Sequence, residues 1–222
     1  FAINHNILEW NTTTSDSGYY LLEAAVSDGF LNDSKIFSIN IIELQENDFD
    51  KDGINDTIDS LIGNKDFVNT STLNLTIIVG NSTNLSMLFS KNLSVRFFNN
   101  ELLIMEFDFN FSRYRLNLTN LTIDKQIANQ KGSLIIKGLN LPKDRTKTVY
   151  IERSNASLNG VCIKDFEIQS ISSISKKCNL KNEFKIKCNG KKTKGYKCTY
   201  NSALKKYKVD GLKHSGVIQI KV

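Results

Sequence analysis

Residues 105–111 read Met-Glu-Phe-Asp-Phe-Asn-Phe. Met105, Phe107, Phe109 and Phe111 alternate with Glu106, Asp108 and Asn110. A period of two puts every aromatic on one side of an extended strand and every polar residue on the other. The same pattern recurs on both sides of this stretch. Leu73, Leu75, Ile77 and Val79 are separated by Asn74, Thr76 and Ile78, and Leu116 and Leu118 flank Asn117. Phe184, Ile186 and Cys188 alternate with Lys185 and Lys187, and Ile218, Ile220 and Val222 with Gln219 and Lys221. Turns rich in Asn, Gly and Lys bound these runs, as expected of half-buried antiparallel strands. Helical character is confined to a turn or two around Thr57–Ile62. The sequence therefore predicts an all-β protein, with small sandwiches in series.

Four segments follow from the pattern. Residues 1–45 hold Trp10, a turn at Ser15–Gly18 and two strands, Tyr19–Val26 and Ile36–Ile42. Residues 46–65 are an acidic connector, 66–143 a sequon-rich β domain, and 144–222 a basic β domain carrying the cysteines. The sole proline, Pro142, lies near the last boundary. The net charge of +6 conceals a polarity. Residues 1–111 carry 5 Lys+Arg against 16 Asp+Glu, a net of −11, and residues 112–222 carry 24 against 7, a net of +17. No zinc-finger spacing or aromatic RNA-binding signature accompanies the basic half, so nucleic acid is not an expected partner. No apolar run approaches the roughly 18 residues of a membrane span. With two histidines in 222 residues, His-based catalysis is disfavoured, and no enzymatic activity is expected. A chain that starts on Phe1 reads as a processed chain or a fragment.

Twelve Asn-x-Ser/Thr sequons occur, where composition alone would give about four. Eleven are expected to carry N-linked glycans: Asn11, Asn32, Asn69, Asn74, Asn81, Asn84, Asn92, Asn110, Asn117, Asn120 and Asn155. The twelfth, Asn55, is the poorest acceptor because it sits within an acidic loop. Cys162, Cys178, Cys188 and Cys198 form an even set, which in a secreted chain reads as disulfides. Three connectivities are possible, and sequence order favours Cys162–Cys178 with Cys188–Cys198. Zinc is the competing reading, without a C-x-x-C spacing to support it.

Residues 48–59 read Asp-Phe-Asp-Lys-Asp-Gly-Ile-Asn-Asp-Thr-Ile-Asp. Carboxylates at loop positions 1, 3, 5, 9 and 12, with Gly53 at position 6, match the spacing of an EF-hand calcium loop. Asp48, Asp50 and Asp52 supply hard oxygen ligands from one tight turn. Ile54 offers its carbonyl, Asp56 binds directly or through water, and Asp59 replaces the usual Glu. Bound calcium would neutralise the clustered charge and stiffen a joint between domains.

Three stretches carry a resemblance. Ile7-Leu8-Glu9-Trp10, Asp16-Ser17-Gly18-Tyr19-Tyr20 and Val26-Ser27-Asp28-Gly29 resemble the second half of cadherin-like or immunoglobulin-like modules of microbial surface proteins. The acidic loop resembles thrombospondin type 3 and dockerin-like repeats. Asn110-Phe111-Ser112, Lys147-Thr148-Val149-Tyr150, Val161-Cys162-Ile163-Lys164-Asp165 and Gly211-Leu212-Lys213-His214-Ser215-Gly216-Val217 resemble modules of large archaeal cell-surface proteins. The resemblance implies an extracellular, cell-surface location and immunoglobulin-like β-sandwich domains joined by a calcium-binding loop. An immunoglobulin-like sandwich needs about seven strands, and residues 1–45 supply three or four. An open apolar edge is sticky, and strands from another chain would close it. The expected function is a structural subunit of a filament-like, pilus-like or S-layer-like assembly, built head-to-tail from copies of itself. The alternative is an adhesin or glycan-binding stalk whose basic end meets anionic polysaccharide or another cell surface.

Two further residues are read against their surroundings. Trp10 is expected as a core anchor, with sugar stacking as its alternative. Asp28 is expected as a turn residue, with a second calcium contact as its alternative.

Overall fold

The computed structural model describes residues 2–4, 7–10, 12–41, 47–72, 74–126, 132–155 and 157–222. His5 and the expected acceptor Asn11 lie outside them. The chain is all-β and divides into two units, Phe1–Glu46 and Asn47–Val222.

The first unit holds β1 (Ala2–Asn4) and β2 (Ile7–Glu9), an antiparallel pair, and β3 (Gly18–Ser27) and β4 (Asn32–Ile41). β3 and β4 pair along their full length, from Gly18 opposite Ile41 to Ser27 opposite Asn32. Asp28 makes the turn between them. Its Oδ1 accepts from the backbone N–H of Phe30 at 2.9 Å and of Leu31 at 2.8 Å, and Gly29 takes a φ of 92°. Register sets Tyr20 opposite Ile39 and Leu22 opposite Phe37, and these share one side of the ribbon with Ala24, Val26 and Ile41. Trp10 stands edge-on to Tyr20, ring centroids 4.8 Å apart. Much apolar surface stays open on this hairpin: Val26 is 69% exposed, Ile36 66% and Phe30 96%.

The second unit is one two-sheet body. Its strands are β5 (Leu61–Ile62), β6 (Asn69–Thr70), β7 (Leu75–Val79), β8 (Asn92–Asn99), β9 (Leu102–Asn110), β10 (Leu116–Asn117), β11 (Thr122–Gln126) and β12 (Ser133–Lys137). They continue with β13 (Lys147–Glu152), β14 (Gly160–Ile163), β15 (Phe184–Lys187), β16 (Lys192–Thr193), β17 (Tyr196–Asn201), β18 (Lys206–Leu212) and β19 (Ser215–Ile220). One sheet runs β15-β14-β19-β12-β11-β6, the other β16-β17-β18-β13-β9-β8-β7, and β5 pairs in parallel with β10.

The boundary expected between residues 143 and 144 is not there. β13 pairs with β9 on one side and β18 on the other, and β19 pairs with β12, so strands before and after Pro142 complete the same sheets. Burying one apolar face per sheet explains this, since strands from either half alone would leave the sandwich incomplete. Phe97, Phe107, Phe109, Val149 and Val209 from one sheet pack in a common core with Ile123, Leu134, Val161, Ile186 and Val217 from the other. The alternation that begins at Met105 is real, but it starts on an irregularity. A register shift at Phe97/Phe98 lets Ile104 and Met105 both be buried. Residues 164–178 cover the outer side of the first sheet, where Ile168 and Ile174 pack on Ile135, Cys162 and Ile220. Gly216 permits that approach, because a Cβ there would meet Ile168 Cδ1 at 2.3 Å. No helix of the described residues is long and apolar enough to cross a membrane.

Candidate metal centre

The acidic loop belongs to the second unit, which begins at Asn47, and is not a free connector. It leads into β5, whose Leu61 is buried in the core beside β10. The residues read as a helical turn form a single turn. The N–H groups of Ile58 and Asp59 both bond to Asn55 O at 3.0 Å, and the chain then extends into β5. Pairing of β5 with β10 decides this over helix propensity. Leu116 N–H reaches Ser60 O at 2.9 Å, and Leu118 N–H reaches Ile62 O at 2.9 Å. Arg115 also holds Thr57 O at 3.0 Å.

Left-handed backbone closes the loop. Gly53 has a φ of 92° and Lys51 one of 57°, conformations that favour glycine in the first case and cost energy in the second. Asp48 Oδ1 accepts from Asp52 N–H at 3.2 Å and Oδ2 from Gly53 N–H at 2.9 Å. Asp52 Oδ1 accepts from Ile54 N–H at 2.8 Å, and Asp56 accepts from Phe49 N–H at 3.3 Å. These bonds fix three of the five carboxylates, Asp48, Asp52 and Asp56, within the loop.

They meet in two overlapping groups, Asp48–Asp50–Asp56 and Asp50–Asp52–Asp59, within which one oxygen of each residue lies within 4.8 Å of the others. Asp50 belongs to both. Asp59 is 1% exposed and Asp50 9%. One oxygen of each is tied to β5 and its exit: Asp59 Oδ1 accepts from Leu61 N–H at 2.9 Å, and Asp50 Oδ2 accepts from Gly63 N–H. The other oxygens, Asp50 Oδ1 and Asp59 Oδ2, are buried without a hydrogen-bond partner among the described residues. A buried carboxylate oxygen with no donor is costly. Burial, followed by the neighbouring Asp52, Asp50 and Asp56 charges, pushes Asp59 up to about 6, against the pull of Leu61 N–H. Burial also raises Asp50 and Asp52. A divalent cation with oxygen preference would remove both penalties. Ile54 lies in the same loop, half-buried. Sequence spacing picked out these five carboxylates. The anchoring by Leu61 and Gly63 N–H groups was not visible in it, because it depends on β5 finding β10.

The cysteines join as Cys162–Cys178 and Cys188–Cys198. Nine sequon asparagines are exposed, namely Asn32, Asn69, Asn74, Asn81, Asn84, Asn92, Asn117, Asn120 and Asn155, and Asn110 is half-buried. In Asn117 and Asn155 the Oδ1 accepts from the N–H and hydroxyl of the Thr119 or Ser157 two residues on. That turn leaves the amide nitrogen, the atom a glycan would join, unused. Asn55 uses its Oδ1 the same way toward Thr57, inside the acidic loop.

His214 is bonded to Glu167 and not to the adjacent Ser215. Its Nδ1 lies 2.9 Å from Glu167 Oε1, while Ser215 Oγ is buried without a hydrogen bond among the described residues. Asp165 organises this corner, accepting from the N–H groups of Lys213 and His214 and from Tyr196 OH at 3.2 Å. No protein-family model matches the sequence, and neither a curated protein nor a solved structure matches it.

Proposed function

We propose that this chain is a non-enzymatic structural component of an extracellular surface assembly, with calcium bound by Asp48, Asp50, Asp52, Asp56 and Asp59 and the carbonyl of Ile54. The observation that carries the metal is the pair of buried, unpartnered oxygens on Asp50 and Asp59. Calcium bound there ties the loop to β5 and so fixes the start of the sandwich. On this reading the stiffening acts inside the second unit, which holds the loop.

Extracellular placement is supported by two disulfides and by the exposed sequons. Assembly through strands is supported by the β3–β4 hairpin. Its outer edges are unpaired among the described residues, and its apolar side chains are open. Residues 1–46 carry 1 Lys+Arg against 7 Asp+Glu, and residues 47–222 carry 28 against 16. A head-to-tail contact between copies would pair these opposite charges.

Electron microscopy of the native material, before and after chelation, tests the proposal. Regular filaments or a lattice that loosen on calcium removal support it. Dispersed particles in calcium refute the assembly. The second reading, a glycan-binding stalk, draws on a separate observation at the β15–β16–β17 edge of the sandwich.

A further inference from the structure

Twelve of the residues between 176 and 208 are lysines, against one acid, Glu183. Glu183 is already spent, accepting from Ser175 N–H at 2.7 Å, Ser175 Oγ at 2.6 Å and Leu180 N–H at 3.0 Å. The fold gathers part of this run at one margin. β15 ends the six-stranded sheet, and β16 and β17 end the seven-stranded one. The Cys188–Cys198 disulfide joins the two margins, and the Phe184 and Tyr196 rings face each other across them at 5.6 Å. Lys185, Lys187, Lys192, Lys194 and Lys197 are all exposed there, and none forms an ion pair among the described residues.

Two features here cost stability. Lys192 stands directly opposite Lys197 in the β16–β17 ladder, a like-charge pairing that is unfavourable and that Asp210, opposite Lys197 on its other side, offsets only for Lys197. The two-residue turn between them is Lys194-Gly195, with φ of 51° and 91°. Such turns favour Asn or Gly at the first position, and lysine there is strained. That strained turn holds Lys194 Nζ 5.2 Å from the centre of the Phe184 ring. A lone edge lysine suffices to discourage strand pairing. Opposed and strained lysines beside an aromatic pair exceed that need.

We infer that the β15–β16–β17 margin binds an anionic polysaccharide, with Lys185, Lys187, Lys192, Lys194 and Lys197 meeting its carboxylate or sulfate groups. Each anion relieves the Lys192–Lys197 repulsion, and the half-buried Phe184–Tyr196 pair leaves part of its apolar surface exposed beside the lysines. The choice of polysaccharide over nucleic acid rests on the extracellular reading above.

The test measures binding of the full chain to polygalacturonate and to heparin, with neutral dextran, duplex DNA and vesicles of anionic lipid as comparisons. Wild type binds both acidic polysaccharides and not dextran, with affinity falling steeply as salt rises. Lys192→Glu with Lys197→Glu weakens binding about tenfold or more, while Lys65→Glu with Lys143→Glu, the same charge change elsewhere, changes it less than about twofold. Lys194→Asn relaxes the turn, so it keeps or raises the melting temperature while weakening binding. Equal losses from both double variants would reduce the effect to net charge and overturn the site. Tighter binding to DNA or to vesicles than to either polysaccharide would overturn the ligand class. Calcium-dependent melting of the same samples is unaffected by the margin variants, so it reports on the metal reading independently.

Discussion

Asp59→Asn separates the proposed metal from other sources of stability. Asp59 is 1% exposed, with Oδ1 bonded to Leu61 N–H and Oδ2 unpartnered. Without metal its folded pKa is about 6, against about 3.9 in an unfolded chain. The folded state then holds a proton that the unfolded state releases, so metal-free stability is greatest below pH 4 with respect to this group and falls as pH rises through 6. Two units correspond to about 3 kcal/mol lost by pH 7. Asparagine keeps the bond to Leu61 N–H and carries no charge. For a unit of this length each kcal/mol moves the melting temperature by about 2–4 °C, so the metal-free variant should melt up to roughly 6–12 °C above wild type at pH 7.5. At pH 4.5 the difference should largely vanish. In calcium the order reverses. Wild type gains about 4.1 kcal/mol at a thousandfold excess over its dissociation constant, more than the deficit of about 3 kcal/mol, and the variant gains little. Calorimetric melting at both pH values, with chelator and with calcium, reads all of this. A variant that is destabilised in chelator and still gains the full calcium increment would refute the reasoning.

Other expectations follow from the sandwich. Phe109→Ala empties a core position 1% exposed and should cost about 3–5 kcal/mol in urea unfolding, whereas the exposed neighbour Asp108→Ala should cost little. Replacing Cys188 and Cys198 by serine removes a bridge between residues 10 apart in sequence, and should cost about 3 kcal/mol by the same assay. Lys147 is buried, and its pKa is lowered to about 8 by that burial against the Asp165 and Glu167 charges. Between pH 8 and 10 the unfolded chain keeps a proton that folded Lys147 has lost, so stability should rise with pH across that window. Lys147→Met should flatten the rise, and an unchanged slope would show the lysine stays charged when folded.

Strands were legible in the sequence because period two is local: Phe107 and Phe109 point inward while Asp108 faces solvent, as the alternation requires. Strand partners were not legible. Nothing in Lys147–Glu152 announces that it joins β9 to β18, so the charge shift and Pro142 suggested a boundary where the sheets are continuous. The five loop carboxylates were readable from their spacing, since residues grouped within one short loop are also a local pattern. Burial of Asp59 was hidden, because it follows from the parallel pairing of Leu61 with Leu116, residues far apart in the chain. The lysine margin was visible only as composition. Its meeting of two sheet edges, and the opposition of Lys192 and Lys197, required the fold.

Calorimetric titration of calcium into the metal-free full chain tests the central claim most directly. One calcium per chain should bind with much weaker competition from magnesium, which resists a crowded cage of protein oxygens, and Asp50→Asn should abolish the heat. No binding at millimolar calcium, or undiminished binding to Asp50→Asn, would contradict a metal centre built on Asp50 and Asp59.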